Sequence, residues 1–387
     1  MLFNLFEKSS TWLDDIGLFS VVQVLYQVEF RAFFAVVFSF ALVLIFGKRT
    51  IRWLLKQKIG DSAEFNHADL NQLMTSKAAT PTMGGLLVVA SILATSLLFA
   101  DLRNRYVWLA MIVLLWLAAL GGVDDWLKLT TARRNPGSRT GLYAWEKLLF
   151  QLGLGLVVGF FLFRHNAAQE AGRVLTLPFQ RTYVPGTFVL EDWVIHLGAI
   201  AFIVLAVLLI AGTSNAVNLT DGMDGLAGGT MIIASFAMMV LCYIAGSEEA
   251  ARTLLLPHII GSRELMVITG AMAGACLGFL WFNCAPAQVF MGDTGSLPLG
   301  GLLAYTAVAV RQEVLLLVIG GIFFMELASV IMQVGYFKWT KGRRIFRVAP
   351  IHYHFHLGGW SEQQVVVRFW VLAVALAMAA LVSIKLR

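Results

Sequence analysis

The sequence predicts an all-α, polytopic helical membrane protein with about ten transmembrane helices and both termini on the periplasmic side. Composition is the first reason: 59% of the 387 residues are hydrophobic and 13% charged, with a mean hydropathy of +0.77. Soluble domains hold roughly half apolar and about a quarter charged residues. The second reason is pattern. The apolar residues fall in separate runs of the roughly 17–25 residues a helix needs to span a bilayer, without the short alternation of outer-membrane strands. The third is the placement of lysine and arginine, which are dense in alternate loops.

In chain order the runs are 25–47, 84–100, 106–123, 147–163, 193–213, 226–246, 264–283, 297–310, 313–335 and 365–384. The eighth is the shortest and carries glycine. Glu7, Asp14 and Asp15 precede the first run, where a signal peptide would need a basic start and a small-residue cleavage site. The N-terminal segment is therefore expected to be retained. Loops 48–83, 124–146 and 336–364 hold the dense basic groups, among them Lys48, Arg49, Arg52, Arg133, Arg134, Lys338, Arg343 and Arg344. The positive-inside rule puts these loops in the cytoplasm, and alternation adds 214–225 and 284–296.

No Pro/Ser-rich linker and no inverted repeat divides the chain, so one membrane domain over 1–387 is expected. Residues 164–192 form the longest external loop, and alternation from Val174 to Val189 suggests a short hairpin. The amphipathic, basic stretch 48–83 is suited to lie along the inner interface. The net charge of +6 is accounted for by topogenic lysines and arginines that meet anionic headgroups, so a nucleic-acid partner is not expected. Cys242, Cys276 and Cys284 lie in or at the ends of runs without metal-ligand spacing, and are read as packing residues.

Five polar stretches interrupt this apolar background, all on the expected cytoplasmic side: KAATPTMGG from Lys77, DDWLK from Asp124, NAVNLTDGMDG from Asn215, NCAPAQVFMGDTGS from Asn283 and APIHYHFH from Ala349. In the second, Asp124 and Lys128 share a face if the helix continues. Alone, it reads as an ordinary salt-bridged helix end; at a membrane boundary, adjacent carboxylates repel and call for a cation or proton. In the third, Asn218, Asp221 and Asp224 recur at i, i+3, i+6 and would align on a helix. An Asp/Gly-rich turn is the bland alternative, and an EF-hand is excluded by spacing and the missing Glu.

Asp293, between Gly292 and Gly295 with Thr294 and Ser296 as hydroxyl donors, suits Mg²⁺ and phosphate oxygens, although no Walker A loop is present. Lys77, with Thr80 and Thr82, can meet a diphosphate or simply flank the second run. His352, His354 and His356 alternate as on one face of an extended segment; lacking nearby carboxylate or cysteine, they read as phosphate donors or acid–base groups rather than zinc ligands. Taken together, the carboxylates Asp124, Asp125, Asp221, Asp224 and Asp293 with these cations at one membrane face match phosphoryl transfer.

In order and spacing, KAATPTMGG, GGVDDWLK, NAVNLTDGMDGLAGG, FMGDTGS and APIHYHFHLGGW resemble the motifs of the bacterial phospho-N-acetylmuramoyl-pentapeptide-transferases, within the polyprenyl-phosphate N-acetylhexosamine 1-phosphate transferase superfamily. The resemblance implies a ten-helix, homodimeric inner-membrane enzyme. Such an enzyme moves phospho-MurNAc-pentapeptide from UDP-MurNAc-pentapeptide to undecaprenyl phosphate, with Mg²⁺, giving lipid I and UMP. Carried over by motif, Asp293 is a metal ligand, Asp124 and Asp125 stand by the metal and the lipid phosphate, and Asp124 is the group expected to activate it. Asn218 and Asp221 line the same site; Asp224, Asn283 and Phe290 hold the uridine; Lys77, Thr82, Lys128 and Lys147 bind phosphates; and His352 and His354 belong to the histidine motif.

One departure stands out. Tyr353 occupies the middle of what the family writes as three histidines, and His356 stands where an acidic residue is common. Two other readings compete: a sister enzyme transferring GlcNAc-1-phosphate to the same lipid, and an ion-coupled transporter, which would need carboxylates near the bilayer midplane.

Overall fold

A computed structural model describes residues 2–15, 19, 23–57, 80–134 and 141–385. The described chain is a bundle of helices: α1 (Leu2–Lys8), α2 (Ser10–Asp15), α3 (Val28–Lys56), α4 (Gly85–Phe99), α5 (Arg105–Arg134), α6 (Ala144–Asn166), α7 (Ala199–Thr220), α8 (Leu226–Gly246), α9 (Glu248–Leu254), α10 (Leu265–Asn283), α11 (Asp293–Ala309), α12 (Glu313–Ile319), α13 (Gly321–Trp339), α14 (Ile351–His356) and α15 (Glu362–Lys385). A two-residue antiparallel ladder, β1 (Val174–Leu175) on β2 (Ile195–His196), is the one sheet among the described residues.

Each apolar run meets a helix, but length alone gives fewer spans than ten. Among the described residues seven helices are long and apolar enough to cross a bilayer, and there are eight if α12 and α13, bent by 83° at their junction, count as one span. The two that fall short are α4, of 15 residues, and α11, of 17. For α11 the reason is its position: every residue from Asp293 to Ala309 is buried, with α5 and α7 as its main neighbours and α4 and α8 also against it. Enclosed by protein rather than lipid, its sequence need not be long, uniformly apolar or free of Pro298.

Small residues let the helices close up. On α10, Gly270, Gly274 and Gly278 form a stripe at four-residue spacing where a Cβ would run into the α3 backbone at Ala32, Val36 and Phe40. Such stripes allow backbones to approach where apolar burial supplies no preference for protein over lipid. At the end of the bundle where α3 and α10 begin, Arg31 is fixed by two bonds to Glu264 and one from Nη1 to the Phe99 carbonyl at 2.8 Å. Glu264 Oε2 also accepts from the Asp101 amide at 3.0 Å, tying in the turn after α4.

Three local expectations are revised. The loop after α6 is closed by the pairs Val174↔His196 and Leu175↔Ile195, with a bridge from Tyr183 to Leu190, rather than by a hairpin over Val174 to Val189. That ladder delays the next helix to Ala199. Residues 48–56, assigned from sequence to an interfacial stretch, continue α3; residues 58–79, including Lys77, lie outside the described residues.

The Arg31 cluster yields a stability test. Glu264→Ala should strip the buried guanidinium of its countercharge and lower stability by about 3–5 kcal/mol, read as a large drop in the thermal unfolding midpoint of the detergent-solubilised protein. Glu264→Gln, which keeps an acceptor, should lose less.

Candidate functional site

At the opposite end of the bundle, α5, α6, α7 and α11 bring their polar residues together. Because α5 continues through DDWLK to Arg134, Asp124 and Lys128 do share a face: Lys128 Nζ lies 2.7 Å from Asp124 Oδ2 and 3.2 Å from Asp293 Oδ2. Lys147, near the start of α6, donates to the same two oxygens, each at 2.7 Å. The other Asp124 oxygen accepts from the Leu142 amide at 2.7 Å. From α7, Asn218 Nδ2 donates to Asp293 Oδ1 at 2.8 Å and to Ser296 Oγ at 2.9 Å.

Asp125 faces a different task. Its carboxylate receives the Asp293 amide at 3.2 Å, the Thr294 amide at 2.9 Å and the Thr294 hydroxyl at 2.7 Å. It thus caps the N-terminus of α11 from a neighbouring helix, satisfying donors that no turn of α11 itself can reach. The close approach requires Gly292: its φ is +72°, and a Cβ there would lie 2.6 Å from Asp125 Oδ2 and 3.1 Å from Thr82 Oγ1. Thr82 is buried on the far side of this contact.

Oxygens of Asp124, Asp125 and Asp293 lie within 4.8 Å of one another. Three carboxylates against two ammonium groups leave the cluster short of positive charge, and its donors are all hard oxygens. The set therefore fits a hard divalent cation of the Mg²⁺ type. Asp221 stands beside it; burial first, then Asp293 and Asp125, push its carboxyl well above the ordinary carboxylate range, against the pull of the Gly292 amide.

The remaining predicted residues ring this centre. Asp221 ends α7, and Gly225 takes a left-handed conformation before α8, so Asn218, Asp221 and Asp224 do not line one helix as expected; Gly222 and Gly225 break it into a turn. Asp224 Oδ2 accepts from the Ala287 amide at 2.9 Å, and its own amide donates to Glu362 at 2.9 Å. Asn283 accepts from the Gly225 amide at 3.0 Å and donates to the Val289 carbonyl at 2.9 Å. Phe290 is half-buried where its backbone pairs with Pro81 and Gly84, each at 2.8 Å. Asp224 and Asn283 brace the loop before α11 against the turn after α7, and Phe290 ties that loop to the segment before α4.

The histidine motif is also revised, since IHYHFH forms the helix α14 rather than an extended segment. His354 is therefore turned away from His352 and His356, which lie one turn apart. His352 is fully buried with Nδ1 3.1 Å from Glu326 Oε2, while His354 Nδ1 accepts from the Arg347 amide at 3.1 Å and His356 Nδ1 is 2.8 Å from the Trp360 carbonyl. Tyr353, the departure from the family pattern, donates its hydroxyl to the Gly222 carbonyl at 2.8 Å and so pins α14 to the Asp221 turn. Glu326 escaped the sequence reading, although an acid inside the run 313–335 was a visible signal. Glu362 and Gln151 were missed as well.

Residues 106–311 match the family model described as "Glycosyl transferase family 4". The chain is similar to proteins named phospho-N-acetylmuramoyl-pentapeptide-transferase from several bacteria. It is 44% identical to that of Desulfosudis oleivorans, with both chains covered completely. The likeness to the Thermodesulfovibrio yellowstonii protein is 42% over the whole of both chains, and to the Neisseria meningitidis protein 41% over 98% of each.

The docking of α14 can be tested at Gly222, where a Cβ would lie 2.6 Å from His352 Nε2 and 3.1 Å from Tyr353 Oη. Gly222→Ala should overpack this contact at a cost of about 1–3 kcal/mol and reduce turnover strongly. Gly228→Ala, whose added carbon meets nothing within 4 Å, should leave turnover near the unmodified value in the same assay.

Proposed function

This chain belongs to the family of phospho-N-acetylmuramoyl-pentapeptide-transferases, and we propose that its carboxylate–lysine centre is where the transfer occurs. The reaction moves phospho-MurNAc-pentapeptide from UDP-MurNAc-pentapeptide to undecaprenyl phosphate, giving lipid I and UMP. The observation that carries the siting is the group Asp124, Asp125 and Asp293 within 4.8 Å, with Lys128 and Lys147 on the same oxygens.

In this reading an oxygen of the lipid phosphate attacks the phosphorus bonded to the sugar. The new O–P bond forms as the diphosphate bridge breaks, and UMP leaves. A phosphate monoester loses its second proton near neutrality, so orientation and charge neutralisation supply most of the acceleration. Lys128 and Lys147 now neutralise Asp124 and Asp293; both ammonium groups are mobile enough to turn to diphosphate oxygens. Asp124, held through Leu142, presents its second oxygen to the lipid phosphate and can take its remaining proton. Asp293, Asp124 and Asp125 would hold Mg²⁺, which supplies charge neutralisation to the diphosphate when bound. Asn218 orients Asp293, and Asp221 adds a further oxygen at the edge.

Asp224, Asn283 and Phe290 shape the loop suited to the uridine, Thr82 extends the phosphate-binding side, to which Lys77 is assigned by its sequence motif alone, and His352 and His354 belong to the helix α14, near which the sugar-peptide would lie. We place the centre on the cytoplasmic side of the inner membrane of a homodimer, with ten helices crossing and both termini periplasmic. The lysine and arginine asymmetry supports that orientation, and enclosure of the short α11 by protein supports counting it as a crossing.

Three measurements test the proposal. Purified protein offered UDP-MurNAc-pentapeptide or UDP-GlcNAc beside undecaprenyl phosphate and Mg²⁺ should consume the first; preference for UDP-GlcNAc would assign it to the sister reaction. Asp293→Asn should cut turnover by about three orders of magnitude or more, since it removes a charged ligand at nearly constant volume; a rate close to the unmodified one would take Asp293 out of the centre. For orientation, single cysteines at Ser361 and Thr187 in a Cys284→Ser background should label from opposite sides of oriented vesicles. Labelling from one side would refute the topology.

A further inference from the structure

One turn deeper than the carboxylate–lysine centre lies a second polar layer that the transfer reaction does not use. Gln151 on α6 is fully buried. Its Nε2 donates to Ser214 Oγ on α7 at 3.1 Å, and its Oε1 accepts from Asn215 Nδ2 on α7 at 2.6 Å. The Ser214 hydroxyl in turn donates to the Leu297 carbonyl of α11 at 3.0 Å. Three helices are thus linked through one amide and one hydroxyl, in a part of the chain where an unsatisfied polar group would be costly.

The register of this layer matches that of the centre. Gln151 follows Lys147 by four residues, Leu297 follows Asp293 by four, and Ser214 and Asn215 precede Asn218 by four and three. With about 3.6 residues per turn, each helix presents one member to the centre and another directly beneath it. The upper layer closes only if α6, α7 and α11 stand at matching heights, because Lys147 and Asn218 must both reach Asp293.

We infer that Gln151 is a positioning residue for this transfer, acting through Ser214 and Asn215 to hold Lys147 and Asn218 in register on Asp293. The inference rests on the transferase reading above. An amide that served as interhelical glue alone would add to stability and leave the rate per folded molecule unchanged. A positioning amide instead sets how the lysine and asparagine meet the carboxylate, so its loss appears in kcat rather than in KM.

The test uses the full-length protein in detergent, with rates expressed per mole of monodisperse, folded enzyme. Gln151→Met keeps the volume and removes the amide. It should lower kcat about 10–100-fold, the usual cost of removing a supporting partner, with KM for UDP-MurNAc-pentapeptide changed less than about two-fold. In an Asn218→Ala background the same change should cost much less, because the two act along one line. Gln151→Glu, which can still accept from Asn215, should recover part of the rate.

If Gln151→Met does not fold, Ser214→Ala takes its place; it deletes the hydroxyl that reaches Leu297 and should give the same fall in kcat. An unchanged kcat per folded molecule, or an equal loss with and without Asn218, would overturn the inference. Absence of turnover by the unmodified chain would instead remove the transferase reading, and the inference with it.

Discussion

The carboxylate of Asp125 holds the centre together by ending a helix that is not its own. α11 is buried along its whole length, so its first amides cannot turn to water, and no residue of α11 lies far enough back to accept from them. Asp125 takes the amides of Asp293 and Thr294 and the Thr294 hydroxyl. This contact fixes both the height of α11 against α5 and the direction in which Asp293 leaves its helix. It also sets two adjacent carboxylates apart: Asp125 anchors the backbone of α11 while remaining one of the three grouped carboxylates, and Asp124, about 100° away round α5, faces the lysines.

A cluster of this charge in a membrane bundle stands only with compensation at hand. Lys128 and Lys147 approach it from different helices and share Asp124 Oδ2 and Asp293 Oδ2. Lys128 remains partly exposed, with 40% of its side chain open, so it can leave these oxygens without crossing apolar protein. Asp221 is less well served: it is half-buried beside other carboxylates, and its carboxyl is held in the direction of the neutral form. The centre therefore has one end where positive charge is abundant and another where it is wanting. A diphosphate with its cation would fit across that gradient.

The sequence made the bundle legible because apolar runs survive any detail of packing, and all ten runs fell on helices. Its shortest run fell on α11, whose Gly, Pro298 and short length are tolerated only inside protein, something hydropathy does not record. The acids and lysines of the centre were visible from DDWLK and GDTGS because the helix of α5 continues and places Lys128 one turn after Asp124. Local geometry was harder. NLTDGMDG looked helical by spacing, yet Gly225 at φ +80° ends that possibility. HYH looked extended by alternation, yet after Pro350 it coils into α14, so His352 and His354 part company. Gln151 and Glu326 were single polar letters in apolar runs, and only the facing helices reveal their partners.

Tyr353 shows how a departure in sequence can be absorbed by geometry. The side chain lies buried against the turn after α7 with its hydroxyl on the Gly222 carbonyl. The bond needs a donor at the end of a long, rigid side chain; a phenol supplies it without a change of charge. The ring also packs in a cluster with Met223, Leu226, Val365 and Phe369, joining α14 to α8 and α15. Beside it, His352 is fixed from the other side by Glu326 on α13, beyond the 83° bend from α12. The bend and the tyrosine thus act together: one brings an acid to the back of the histidine helix, and the other ties its front to the turn that carries Asp221.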